Sequence, residues 1–222
     1  MQVPPASAPV ASASPAPSGL PVPGSVVAAA GGTVQAVCTG TAEPRLMAGR
    51  RHLSAIGKRE RAGAVAVAPL GLAGDEQADL SVHGGLDKAV YAYPVEHLPF
   101  WQAQRRAHGV SLFEETLWPG FLGENLCISG LREHEVWIGD ELHLPDCVLR
   151  VTAPREPCGK FTAIMGYAQA ARDMVAASAS GFYLAVVQPG TVAAGQVFTL
   201  VPGPRGLSVA QAFAAKRIKH LR

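Results

Sequence analysis

Cys147-Val148-Leu149-Arg150-Val151-Thr152 runs without a break into Ala153-Pro154-Arg155-Glu156-Pro157-Cys158-Gly159-Lys160. Cys147, Leu149 and Val151 alternate with Val148, Arg150 and Thr152, and that period of two marks a half-buried strand. Proline has no backbone donor and a fixed φ, so Pro154 and Pro157 stop the strand and stiffen the turn after it. Phe161 to Ala177 reads as a helix, interrupted at Gly166. Cys158 therefore falls at or beside a helix N-terminus, with Arg155 and Lys160 close in sequence. Free N–H groups at a helix end and neighbouring cations favour thiolate over thiol, and the thiolate is the nucleophile and soft-metal ligand. A free cysteine is otherwise a small buried apolar residue; the flanking charges and turn residues argue against that here.

Working outward, the chain is a series of short strands. Thr33 to Thr39, Leu53 to Ile56, Gly63 to Ala68 and Ala89 to Tyr93 read as strands, the second and third separated by the charged turn Gly57 to Arg61. Pro94 suits a first helical turn, and Val95 to His108 carries Leu98, Trp101 and Gln102 at helical spacing, with Pro99 as an alternative start of the helix proper. Gly109 to Gly123 is irregular. Val136 to Leu144 reads as a strand broken at Gly139-Asp140; Phe182 to Val187 and Gln196 to Val201 follow, and Ser208 caps a final short helix. Short strands punctuated by turns, with helices inserted rather than alternating, point to a mainly β fold built as a barrel, not a parallel α/β sheet.

The chain has 222 residues, 48% of them hydrophobic and 16% charged, with a formal net charge of +2. That balance supports one sizeable core and gives no strong attraction to nucleic acid or an anionic membrane. No apolar run approaches the roughly 18 residues of a membrane helix. Residues 1–32 are rich in Ala, Pro, Ser, Val and Gly and carry no charge, which reads as a disordered tail. The barrel is expected over residues 33–203 and a short helical segment over 204–222. Cys38, Cys127, Cys147 and Cys158 have no zinc-ribbon or redox-pair spacing, and with no basic leader the expectation is free thiols in the cytoplasm.

Three further segments are too polar and glycine-rich for plain connectors. Gly71 to Asp79 is followed by Val82-His83-Gly84-Gly85-Leu86-Asp87-Lys88, where adjacent glycines let the backbone approach a ligand and His83 is placed to ligate or hydrogen-bond. Asp75 and Glu76 read equally well as a solvated turn. In Gly120-Phe121-Leu122-Gly123-Glu124-Asn125-Leu126 an acid and an amide sit on a bend at a strand start. Trp137-Ile138-Gly139-Asp140 reads as a hairpin turn. No Walker loop, nucleotide fingerprint or paired-histidine metal motif is present.

Taken in order, GLAGDEQAD, VHGGLDKAVYAYP, GENL, VWIGD and PREPCGK resemble the MOSC family, named for the C-terminal domain of molybdenum cofactor sulfurases, and within it the stand-alone YiiM-like members. The resemblance covers about Thr33 to Pro202. It implies a β-barrel fold and a cysteine, here Cys158, that ligates molybdenum beside a pterin dithiolene. It also implies a molybdenum-cofactor-dependent reductase of N-hydroxylated compounds such as 6-hydroxylaminopurine, fed by an electron-donor reductase. On that reading Arg155 and Lys160 bind the pterin phosphate or support the thiolate. Gly84 and Gly85, with His83, line the pocket, and Glu124 and Asn125 hold pterin or substrate. Two alternatives stay open: a cofactor-binding or sulfur-carrier protein using a Cys158 persulfide, and a cysteine hydrolase with His83 as base. Some members continue into a three-helix extension; Gly206 to Arg222 resembles its opening, SVAQAF, and the extension is expected to be shortened here.

Overall fold

Leu149 and Val151, the apolar positions of the quoted stretch, are buried, while Arg150 between them is exposed. A computed structural model of the chain describes residue 1 and residues 30–47, 49–77 and 84–219. In chain order the elements are β1 (Gly31–Thr39), β2 (Glu43–Met47), β3 (Arg50–Ser54), β4 (Arg59–Glu60), β5 (Val65–Ala68), β6 (Gly71–Leu72) and β7 (Val90–Pro94). After helix α1 (Leu98–Ala107) come β8 (Leu126–Ser129), β9 (Glu141–His143) and β10 (Val148–Pro154). Helices α2 (Gly159–Met165) and α3 (Ala170–Ala177) lead to β11 (Phe182–Gln188), β12 (Gly190–Val192), β13 (Val197–Val201) and α4 (Val209–Lys219).

The main sheet runs β13-β9-β10-β11-β7-β8-β1-β4, and a further β13–β1 pairing closes its first seven strands into a barrel, leaving β4 on the end of β1. All barrel pairings are antiparallel except β7 with β8. The interior is filled by Val34, Ile128, Leu149, Val151, Phe182, Leu184 and Phe198 among others. Helices α1 to α3 cover a second apolar cluster on the outside, around Tyr93, Trp101, Phe161, Met165 and Met174. Mainly β, barrel-like, with inserted helices: the expected fold class is the observed one.

Closure happens at a glycine pair. Gly31 and Gly32 pair with Thr199 and Phe198. A Cβ on Gly32 would lie 2.0 Å from the Ser129 carbonyl oxygen, and one on Gly31 2.4 Å from the Phe198 carbonyl oxygen. Side chains would hold the strands apart, so the seam needs residues without them. The first strand thus starts at Gly31 rather than Thr33, and these two residues belong to the barrel. The rest of the expected tail, apart from Met1 and Ala30, lies outside the described residues.

Two other local expectations change. Strand β3 ends at Ser54 and pairs with β2 in a hairpin that the sequence did not reveal. Glu43, Pro44 and Leu46 of β2 are exposed, so no buried face imposes an apolar period on it. The expected strand Val136 to Leu144 is a strand only over β9. Ahead of it, buried Asp140 accepts hydrogen bonds from Trp137 N (2.9 Å), Gly203 N (2.7 Å) and Arg205 Nη1 (2.9 Å), locking a turn in place of a ladder. The helix after Cys158 is interrupted at Gly166, as its sequence suggests: Gly166 is the C-cap of α2, and α3 follows.

At the C-terminus, Gln211 N donates to Ser208 Oγ (3.1 Å) and Ser208 N to Gln211 Oε1 (2.9 Å), a reciprocal cap for α4. Val209 and Phe213 of that helix join the two apolar clusters. No helix among the described residues is long and apolar enough to cross a membrane.

Candidate functional site

Strand β10 delivers the site. Its last pair, Pro154 with Phe182, is followed directly by Arg155 to Pro157, and Cys158 is the N-cap of α2 in an extended conformation (φ −140°, ψ 167°). The Cys158 carbonyl accepts the first helical hydrogen bond, from Thr162 N at 3.1 Å. Its half-buried side chain borders a cleft of about 110 Å³. The cleft also takes residues from the segment after β3, the glycine segments around Asp75 and Gly84, and strands β7 and β11.

Arg155 is the unusual charge here. It is 4% exposed, and its Nη2 lies 3.8 Å from Cys158 Sγ and its Nη1 3.7 Å from Met174 Sδ. The guanidinium also sits over the rings of Phe161 (4.8 Å) and Tyr91 (5.6 Å), and among the described residues it forms no ion pair with a carboxylate. Burial works against its charge, but Tyr91, Cys158, Tyr183 and Tyr93 together hold its pKa above the ordinary value. Coupling is reciprocal, so the same guanidinium favours the Cys158 thiolate. Burial pushes the phenols of Tyr91 and Tyr183 up, which keeps them neutral donors.

The opposite wall is a polar network around Asp75. Lys58 Nζ reaches Asp75 Oδ2 at 2.6 Å, Asn125 Nδ2 donates to the same oxygen at 2.9 Å, and Gly40 N donates to Oδ1 at 2.9 Å. Asn125 also donates to Cys38 O (3.2 Å) and accepts from Tyr91 N (3.1 Å), joining β1, β7 and the bend before β8. Burial lowers the Lys58 pKa, against the raising effect of Asp75.

Of the residues singled out from sequence, Cys158, Arg155, Lys160, Gly84 and Asn125 all border the cleft. Lys160 Nζ donates to Leu53 O at 3.0 Å, tying α2 to β3 at the cleft edge. Gly85 stands one step back, its N–H donating to Gln77 Oε1 at 3.1 Å. A Cβ on Gly84 would lie 1.9 Å from that same oxygen, while one on Gly85 meets nothing within 4 Å, although both have positive φ. Glu124 does not border the cleft. It is 1% exposed, and its Oε1 accepts from Gly120 N (2.7 Å) and Cys127 Sγ (3.2 Å). Its Oε2 has no hydrogen-bond partner, and burial raises its pKa. His83 lies outside the described residues.

The sequence reading missed Lys58, Gln77, Lys88, Tyr91 and Tyr183, which also border the cleft. Tyr91 and Tyr183 face each other across the β7–β11 pairing with ring centroids 5.5 Å apart. Nothing local in either strand signals that meeting. Asp75 is not a solvated turn residue; three donors converge on it. Among the described residues no group of three or more His, Cys, Asp or Glu could hold a metal. The donor set offers one soft thiolate and cations for an anion, which suits a metal whose other ligands come from a non-protein group.

The MOSC domain family model matches residues 79–199. Uncharacterized protein YflK of Bacillus subtilis is 36% identical over 162 residues, 72% of this chain and 70% of that protein. Protein YiiM of Escherichia coli is 36% identical over 161 residues, with 72% and 70% covered. A protein of Gibberella moniliformis named Reductase is 32% identical over 152 residues, 68% of this chain but 26% of its own length. The crystal structure of YiiM from Geobacillus stearothermophilus superposes with a TM-score of 0.66 at 26% identity, covering 86% of each chain. The MOSC domain is associated with binding of the molybdenum cofactor. By sequence, by barrel topology and by the order of its cleft segments, this chain belongs to the MOSC domain family.

Proposed function

We propose that the protein is a molybdenum-cofactor-dependent reductase of N-hydroxylated compounds, of the 6-hydroxylaminopurine kind, with Cys158 as the protein ligand of molybdenum. The observation that carries this reading is the Cys158–Arg155 pair: a half-buried thiol at the cleft, backed by a buried guanidinium with no carboxylate partner among the described residues. A cation left in that state suits an anionic group such as a pterin phosphate. Lys160 at the edge adds a second cation. The Gibberella relative's name, Reductase, supports the reaction class.

The overall change is R–NHOH + 2 e⁻ + 2 H⁺ → R–NH₂ + H₂O. Bound in the cleft, the cofactor supplies the two-electron chemistry. The chain's own residues bind and orient. Cys158 offers a thiolate that Arg155 favours. Tyr91 and Tyr183 give the cleft flat aromatic walls, and a planar base stacks well on such surfaces. The Asp75 network holds the opposite wall rigid. The electrons come from a partner reductase, which is part of the proposal.

The experiment is Cys158→Ser in protein made in a host that synthesises the cofactor. Serine is a poor soft-metal ligand near neutral pH. The variant should fold, lose reduction of 6-hydroxylaminopurine, and lose molybdenum or bind it abnormally by X-ray absorption. Full activity with metal bound sinks the assignment. Lost activity with unchanged metal ligation moves Cys158 to a sulfur-carrying role.

A further inference from the structure

Cleavage of an N–O bond releases hydroxide unless a proton meets the departing oxygen, so a cleft that performs this reduction needs an acid beside the substrate. The structure assigns that role to Lys58: its ammonium gives a proton to the hydroxyl oxygen as the N–O bond breaks. This inference rests on the reductase reading above and adds the proton source to it.

The assignment follows from what the other cleft cations do. Arg155 holds its protons too tightly to be an acid. Lys160 Nζ is engaged by Leu53 O at 3.0 Å, at the cleft edge. Lys88 Nζ lies 5.6 Å from the centroid of the Tyr183 ring. Tyr91 Oη donates to Ser180 O at 2.8 Å, away from transfer to a ligand. Lys58 is different in kind. Its side chain is 9% exposed, and it shares the cleft wall with its partner Asp75. Burial weakens the hold on its proton, while Asp75 at 2.6 Å keeps the ammonium charged. A lysine charged at rest yet desolvated is a stronger acid than one in water. Asp75 in turn is fixed by Asn125 and Gly40, so the ammonium is positioned by three elements rather than by its own flexible stem.

The step balances. The bound cofactor would supply the two electrons for N–O cleavage, the Lys58 proton goes to the departing oxygen, and water leaves. The nitrogen takes the second proton from solvent, and the neutral amine of Lys58 recovers its own from solvent as well.

The test compares two substrates in the cofactor-loaded protein: an N-hydroxylated base and its O-benzoyl ester, whose leaving carboxylate needs no proton. Lys58→Met should slow reduction of the hydroxyl compound by about 100-fold or more, the usual range for a lost acid, and leave the ester within a few-fold of wild type. Lys58→Arg keeps a buried cation that cannot give up its proton, and should show the same split if the methionine variant folds poorly. Independently of turnover, ¹⁵N-lysine spectra of the unloaded protein should contain one Nζ signal, absent from Lys58→Met, that titrates below the other lysines. Equal losses on both substrates, or a Lys58 signal titrating with the surface lysines, overturn the assignment of Lys58. No reduction of either substrate by loaded wild type overturns the reductase reading itself, which separates the two failures.

Discussion

The Arg155 guanidinium approaches the Cys158 sulfur to 3.8 Å from beneath, where it is itself 4% exposed. Two residues three apart in sequence are thus set at different depths by the turn through Pro157: one reaches the cleft, the other supports it from the protein interior. Removing the charge should make the thiol less acidic. Arg155→Met should slow alkylation of Cys158 by iodoacetamide near pH 7 by about tenfold, equivalent to roughly 1.4 kcal/mol of lost thiolate stabilisation. In the wild type, mass spectrometry should find Cys158 labelled before Cys38, Cys127 and Cys147. Those three are buried, and burial pushes the Cys147 thiol up to about 11. An unchanged rate in Arg155→Met would show that the thiolate is set by something other than this contact.

Asp75 holds a buried cation, and its loss should cost stability as well as geometry. Asp75→Ala leaves the Lys58 amine without its carboxylate in a site where the two side chains are 9% and 4% exposed, so the amine must stay charged without a partner or give up its proton. Breaking a buried pair from one side costs about 3–5 kcal/mol. Urea denaturation should show a loss in that range for Asp75→Ala and little further loss on adding Lys58→Met, because the stranded amine is then gone. Additive losses would mean that the two residues act independently.

The glycine seam predicts a barrel that resists side chains at one place. A Cβ at residue 32 falls 2.0 Å from the Ser129 carbonyl oxygen, so Gly32→Val must push β1 away from β8. Overpacking of this kind costs about 1–3 kcal/mol. The melting temperature should fall accordingly, and hydrogen exchange at Phe198 and Thr199, which face the pair, should quicken most. A variant as stable as wild type would mean that the seam has slack.

Glu124 carries a pH dependence of definite sign. Burial raises its pKa above the ordinary 4.5, so its neutral form is the one the fold prefers. Such a group contributes stability that is fully present below about 4.5 and is lost as pH rises through the raised value. Glu124→Gln is uncharged throughout. The wild type should therefore lose ground against Glu124→Gln as pH climbs from 4.5, after which the gap should stay constant. Parallel stability curves for the two proteins would show that Glu124 ionises in the fold as freely as outside it.

The sequence by itself determined the fold class and pointed to the cysteine that borders the cleft. Period-two alternation at Cys147 to Thr152 is a local pattern with a local cause, since neighbouring residues on a strand point to opposite faces. Proline after it, cysteine after that and helix propensity beyond are equally local, which is why Cys158, Arg155 and Lys160 were legible from the chain. The β2–β3 hairpin was not, because Glu43, Pro44 and Leu46 stand in solvent on both faces and leave no period. Glu124 and Asn125, adjacent in sequence, looked alike as polar residues on a bend. Only the fold separates them, turning Asn125 to the cleft wall and Glu124 inward to Gly120 and Cys127. Tyr91 and Tyr183 meet because β7 and β11 pair, and Lys58 and Asp75 join them through Asn125, which bridges β1, β7 and the bend before β8. Such contacts join residues far apart in the chain, and no local pattern in the sequence encodes that proximity.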